Sequence, residues 1–299
     1  MISSSHIVPE ETPQIRLSDY ARTAFPLLAS RKGAQKAIKR GAISIDGTVG
    51  KTSDWICPGQ TLLFEEPFIP SPKIYRFPLE VIFEDTHLAL INKPAGIEVS
   101  GNKFKTVSSA LPFNLTSSTE PDFLSVPRPV HRIDYSTSGL LLVAKTTTAL
   151  IHLSQQFESK TIQKRYRAII MGSPQKNEGT IETPINNQTA QSEYRVLKTI
   201  PSLKSGTLSL VDLFPLTGRT HQLRIHLAHI GHPIVGDQKY GNPSHTLKGK
   251  GLFLSAVELH FTHPVTQQQK NIIISPPKKF TTYLQREENW WNRFNGKDI

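Results

Sequence analysis

With 299 residues the chain is about twice a typical domain length, so one large domain with a smaller companion is expected, and a sizeable core is possible. Its 35 Lys and Arg against 24 Asp and Glu give a net charge of +11, which favours a polyanionic partner such as nucleic acid over an acidic protein surface, without separating RNA from DNA or an anionic membrane. Cys57 is the one cysteine, which excludes an internal disulfide and a zinc site built on several thiolates and fits a reducing cytoplasm. The chain does not open on a basic start followed by an apolar run, and no stretch nears the roughly 18 to 20 apolar residues of a membrane span. A soluble, cytoplasmic, monomeric protein is the expectation.

Residues 1–14 are polar with two prolines and read as a loose lead-in, with a folded module from Ile15. IRLSDYARTAFPLLA has apolar residues at helical spacing. Ser30 is placed to cap a helix over RKGAQKAIKR, and Gly41 to end it in the left-handed conformation. Ala34, Ala37 and Ile38 form a narrow apolar stripe, while Arg31, Lys32, Lys36, Lys39 and Arg40 make the rest of the surface strongly positive. Such a face suits phosphate contact; the plain alternative is a solvated charged helix. AISIDGTV alternates about Asp46-Gly47, the pattern of a hairpin, and KTSDWICPGQTLLF adds a further strand. These signals outline an α+β module over 15–64. EEPFIPSPKIYRFP, with four prolines, predicts a linker over 65–78 and a second domain over 79–290.

The second domain opens with LEVIFEDTHLALINKPAGIEV, two β-rich runs and an ordered Lys93–Gly96 loop. In HRIDYSTSGLLLVAK a polar loop to Gly139 precedes Leu140–Ala144, an apolar run of buried-strand length that anchors Asp134 beside the core. A carboxylate there, near Arg132 and small hydroxyls, suits a nucleophile or base; an isolated Asp in a loop is more simply an Asx-turn. ALIHLSQQFES follows as an amphipathic helix with Leu150, Leu153 and Phe157 on one side, then TIQKRYRAIIMG as a strand whose Tyr166, Ala168 and Ile170 share a face. TLSLVDLFPLTGRTHQLRIHLAHIGHPIVGDQKYG predicts a strand, a Thr217-Gly218 turn and a helix from Thr220 to Ile230 capped by Gly231. Leu223, Leu227 and Ile230 form its buried stripe, leaving Arg224 on another face. His221, His226, His229 and His232 invite a metal reading, but no HExxH pattern or cysteine accompanies them and Gly231 should break the helix, so no metal is expected. The tail carries Trp290-Trp291, read as closing the core rather than stacking on bases.

The string HRIDYSTSGLLLVAK closely resembles the active-site motif of the RluA-type RNA pseudouridine synthases. TGRTHQLRIHL and the Lys-x-Tyr-x-Ala pattern at Lys164–Ala168 resemble further family motifs, and SRKGAQKAIKRGAISIDG resembles the S4-like RNA-binding domain that precedes the catalytic domain in many members. GLFLSAVELHFTHP looks like the family's closing strand, with Ser255 where a histidine is usual. The resemblance spans about Ile15 to Pro277. It implies an α+β fold with a predominantly antiparallel mixed sheet behind a small S4-like domain, and an isomerase converting uridine to pseudouridine in RNA. By the same resemblance Asp134 is the essential aspartate, Arg224 the arginine that pairs with it, Tyr166 the ring against the target base, Arg132 a residue that helps hold the RNA, and Arg219 a weaker phosphate contact. No cofactor is implied. The S4-like module points to ribosomal RNA of the large subunit ahead of transfer RNA, by analogy alone.

Overall fold

A computed structural model describes residues 3–28, 30–65, 73–241 and 249–295, and the chain divides into two compact units, Met1–Pro72 and Lys73–Ile299. The first unit runs β1 (Ser3–Ile7), β2 (Ile15–Arg16), α1 (Leu17–Ala24), a 3-10 turn (Pro26–Leu28), α2 (Arg31–Lys39), β3 (Ile43–Ile45), β4 (Thr48–Val49), β5 (Trp55–Ile56) and β6 (Thr61–Glu65). Its antiparallel sheet has the order β1-β6-β3-β4, and β2 pairs with β5. Helix α2 forms where its end signals place it. The Ser30 Oγ accepts a hydrogen bond from the Gly33 N–H at 3.0 Å, and Gly41 leaves the helix at φ +75°. Ala34, Ala37 and Ile38 pack with Leu17, Phe25, Ile43 and Phe64; Arg31, Lys32, Lys36, Lys39 and Arg40 are all exposed. Asp46 and Gly47 both take positive φ in the turn from β3 to β4, as a tight hairpin requires.

The lead-in is not loose. Ser3–Ile7 adds an antiparallel edge strand to β6, and Val8 is buried. Backbone ladder bonds hold an edge strand without an apolar face, so its three serines give no periodicity to read. Of the predicted linker, Glu66–Pro72 lies outside the described residues, and Lys73–Pro78 belongs to the second unit. Tyr75 and Phe77 stack at 5.4 Å, the Tyr75 N–H donates to the Ser109 carbonyl, and Asn114 binds both the Phe77 carbonyl and the Leu79 N–H. Side-chain hooks of this kind leave no pattern in a proline-rich segment.

The second unit runs β7 (Glu80–Glu84), β8 (Leu88–Lys93), α3 (Val107–Asn114), β9 (Phe123–Pro129), β10 (Ser138–Thr146), α4 (Thr147–Glu158), β11 (Gln163–Met171), β12 (Glu178–Ile181), β13 (Ser192–Ser202), β14 (Gly206–Pro215), α5 (Gln222–His229), β15 (Leu254–Thr262), β16 (Gln269–Ile273) and α6 (Lys279–Asn295). A ten-stranded sheet has the order β12-β13-β14-β11-β15-β10-β8-β7, with β9 also on β10 and β16 also on β15. The fold is α+β, with every described strand pair antiparallel except β10 with β15. Strand β10 is buried along its whole length, which explains its continuous apolar run. Leu141 and Val143 join a core with α3, and Leu140, Leu142 and Ala144 one with α4.

Helix α6 covers the other half of the sheet with Phe280, Tyr283 and Leu284. Trp291 is half-buried, whereas Trp290 is 40% exposed beneath the Arg286 guanidinium. Neither ring belongs to the apolar cluster that α6 joins, and the two differ in exposure because adjacent helical residues point about 100° apart. Among the described residues no helix is long and apolar enough to cross a membrane.

The parallel pairing of β10 with β15 is tight: Ser138 lies opposite Ser255, with their hydroxyls 3.2 Å apart, and Gly139 opposite Ala256. Gly139 has φ +114°, and a Cβ there would sit 2.1 Å from the Ala256 carbonyl oxygen. Gly139→Ala is expected to destabilise the unit by about 3 kcal/mol, or roughly 6–12 °C in melting temperature for a unit of this size, measured by circular dichroism; an unchanged melt would contradict the close approach.

Candidate active site

Asp134 lies in the loop from β9 to β10. Buried Ile133 anchors one side of it, and the Asp134 carbonyl accepts from the Thr137 N–H. The loop is tied to Lys93–Ile97: the Gly96 N–H donates to the Tyr135 carbonyl at 2.7 Å, and the buried Lys93 ammonium donates to the carbonyls of Pro94, Ile97 and Tyr135 at 2.9, 3.0 and 3.4 Å. His131 is also structural. Its Nε2 accepts from the Leu142 N–H at 3.0 Å, its ring stacks on Phe157, and burial with the nearby Lys164 pushes its pKa down to about 3, so it stays neutral.

Opposite Asp134, the turn Thr217–His221 leads into α5. The helix begins at Gln222, two residues later than its spacing predicts, because His221 adopts a left-handed φ of +57° that no helix continues. Gln222 holds the turn: its Oε1 accepts from the Thr217 hydroxyl at 2.7 Å and the Arg219 N–H at 3.0 Å, while its Nε2 donates to the Gln191 carbonyl and the Ser192 hydroxyl. The Arg219 Nε donates to the Thr189 carbonyl, so part of that guanidinium is engaged within the protein. Arg132 is exposed at the rim.

Arg224 reaches Asp134, but its main partner is another carboxylate. The Arg224 Nε and Nη2 donate to Asp237 at 2.7 and 2.8 Å, and Nη1 lies 3.9 Å from the Asp134 Oδ2. Burial alone would weaken the guanidinium's charge, but the Asp237 bonds reverse this and raise its pKa. The same pairing overcomes burial at Asp237 and holds its carboxyl below the usual range. The His221 Nε2 lies 4.0 Å from the Asp134 Oδ1. Tyr166, on β11, is half-buried; burial, then the Asp134 charge, pushes its phenol above the ordinary value, so the hydroxyl keeps its proton. Asp134, Tyr166, Arg224, Arg132, Arg219 and His221 line one cavity of about 470 Å³, with Lys160 and Lys164 at its wall.

The four histidines diverge. His221 meets the Tyr240 hydroxyl, His226 is buried between the Ser192 hydroxyl and the Thr183 carbonyl, His229 is exposed, and His232 meets the Met171 carbonyl. Among the described residues no group of three or more His, Cys, Asp or Glu side chains is placed to hold a metal ion. Sequence reasoning missed Lys93, Gln222, Asp237 and Tyr240 as site residues; the KPAG, THQLR and GDQKYG strings are the local signals that carry them.

Residues 87–229 match the RNA pseudouridylate synthase family. The chain is 37% identical to the ribosomal large subunit pseudouridine synthase C of Vibrio vulnificus over 64% of each chain, just under two thirds of that relative's length. It is 30% identical to an uncharacterized RNA pseudouridine synthase of Aquifex aeolicus over 93% of this chain and 96% of the other. Identity to the ribosomal large subunit pseudouridine synthase D of Pseudomonas aeruginosa is 35%, over 81% and 78%. Human RNA pseudouridylate synthase domain containing 4 shares the fold, with a TM-score of 0.56 at 22% identity over 69% of this chain and 92% of that one.

Lys93 provides a test of the loop anchor. Burial pushes its pKa down to about 8 from 10.5, with Asp134 opposing. The unfolded chain therefore holds this proton at pH values where the folded protein has released it. The penalty is fully present below about pH 8 and is relieved as pH rises toward 10.5. The stability difference between wild type and Lys93→Met, measured by urea unfolding, is expected to shift in favour of wild type across that window. A pH-independent difference would show that the ammonium is not buried.

Proposed function

The chain belongs to the RNA pseudouridylate synthase family, isomerases of uridine in RNA, and on that premise we propose that it acts on large-subunit ribosomal RNA with Asp134 as the catalytic carboxylate. The observation that carries the site assignment is the placement of Asp134 in a 470 Å³ cavity shared with Tyr166 and Arg224. That volume is within the roughly 300–1,000 Å³ of small-ligand sites and suits one nucleotide turned out of its stack.

Pseudouridine formation breaks the bond from N1 to C1′, turns the uracil, and joins C5 to C1′ as C5 loses its proton and N1 gains one. The Asp134 carboxylate either attacks C1′, releasing the uracil through N1, or takes a ribose proton that is returned when C5 joins C1′. At 3.9 Å the Arg224 Nη1 supports that charge without a close hydrogen bond, so the oxygen's lone pairs remain available to substrate. Asp237 supplies the tight partner that keeps Arg224 in place. Tyr166, its phenol held protonated by burial, presents a ring against the base. Flipping the base costs a few kcal/mol and is cheapest in loops and single strands.

Arg132 and Arg219 at the cavity, and Arg31, Lys32, Lys36, Lys39 and Arg40 on the S4-like unit, are the proposed phosphate contacts. They position RNA without reading its sequence. Large-subunit ribosomal RNA is supported by the names of two of the relatives described above.

Asp134→Ala is expected to lose pseudouridine formation on large-subunit ribosomal RNA fragments while its RNA Kd stays within about threefold, since phosphate contacts dominate affinity. Retained product in the purified variant would remove the assignment. Product on transfer RNA transcripts alone would move the substrate to that class.

A further inference from the structure

Beyond the family-matched segment, one short turn reaches back to both groups that face Asp134. Asp237 is 3% exposed. Besides the bidentate bonds from Arg224, it accepts from the N–H groups of Lys239 and Tyr240 at 3.0 and 3.1 Å. Those bonds close the turn and set Tyr240 against His221 and Arg224. Its hydroxyl lies 2.9 Å from the His221 Nδ1, its ring meets the His221 ring edge-on at 5.6 Å, and the Arg224 guanidinium lies 5.1 Å from its centroid. Each Asp134 oxygen thus faces one nitrogen: Oδ2 faces the Arg224 Nη1 and Oδ1 the His221 Nε2. The far side of each nitrogen-bearing group is fastened to the same four-residue turn.

We propose that the Asp237–Tyr240 turn is the positioning device of this site, with Asp237 aiming Arg224 and Tyr240 aiming His221, so that the His221 Nε2–H becomes a second polar support for Asp134. This rests on Asp134 being the catalytic carboxylate. A carboxylate opposite Nε2 favours the tautomer with its proton there. Nδ1 is then the bare acceptor, and the Tyr240 O–H donates to it. Asp134 and Asp237 favour the imidazolium form; burial, Arg224 and Lys239 oppose it, and the balance lies toward the neutral ring. A neutral ring supplies a donor without a second full charge beside the carboxylate. The 4.0 Å separation is longer than a hydrogen bond, as catalytic contacts often are before substrate tightens them. His221, Asp237 and Tyr240 are positioning residues, acting on substrate through Asp134 and Arg224.

The test uses the full chain and a large-subunit ribosomal RNA fragment. It reads single-turnover pseudouridine formation, RNA Kd and the His221 pKa from imidazole NMR in wild type, Tyr240→Phe, His221→Gln, Asp237→Asn and Asp134→Asn. Tyr240→Phe and His221→Gln are expected to slow the reaction about tenfold, and Asp237→Asn up to about a hundredfold, as misplacement of catalytic groups does; Kd should stay within about threefold. In Tyr240→Phe the His221 pKa should rise, because Nδ1 loses the donor that stabilises the neutral ring. In Asp134→Asn it should fall. Wild-type rate and His221 pKa in Tyr240→Phe would overturn the proposal, even if Asp237→Asn failed to fold. A wild-type rate in Asp134→Asn would instead overturn the underlying assignment of the carboxylate.

Discussion

The close parallel contact of β10 with β15 at Gly139 and Ala256 is the constraint on which the rest of the catalytic unit depends. Asp134 is five residues before it in the chain, on the half of the sheet built from β7, β8 and β10. Tyr166 lies on β11, hydrogen-bonded to the other side of β15, and α5 with Arg224 packs on that second half. Only where the two halves meet can these side chains share a cavity. A side chain at 139 would push the two strands apart, since its Cβ would meet backbone and not a flexible side chain.

Within that frame the electrostatics follow a division of labour between carboxylates. Asp237 is buried and fully used by hydrogen bonds, so it fixes geometry. Asp134 is only partly buried and held at arm's length from two nitrogens. A charge free of tight partners can act on an incoming ribose; a charge fully bonded cannot. The arginine between them is oriented by one and supports the other, so the expected pairing of Arg224 with Asp134 describes half of what that guanidinium does.

Much of the architecture was legible because it rests on local rules. The Ser30 cap, the Asp46-Gly47 hairpin and the buried run of β10 each follow from residue type and spacing, and the three residues marked by family resemblance line one cavity. The departures share a different cause. Strand β1 pairs through its backbone, the Lys73–Pro78 segment is held by Asn114 from across the fold, and His221 is held in a left-handed conformation that delays α5. Asp237, Tyr240 and Lys93 acquire their meaning only from what tertiary structure brings beside them. Trp290 and Trp291 show the limit most simply, since one residue's rotation around a helix separates a half-buried ring from an exposed one.

The alternation of β10 between two cores also bears on cooperativity. Leu140, Leu142 and Ala144 belong to one apolar cluster and Leu141 and Val143 to another, so neither cluster can loosen without withdrawing a strand from its neighbour. Opening at this strand therefore costs close to the full unfolding free energy of the unit, and its amide protons should be among the slowest to exchange. The loop that carries Asp134 runs straight into this doubly shared strand, while the Asp237–Tyr240 turn is closed by its own backbone N–H groups.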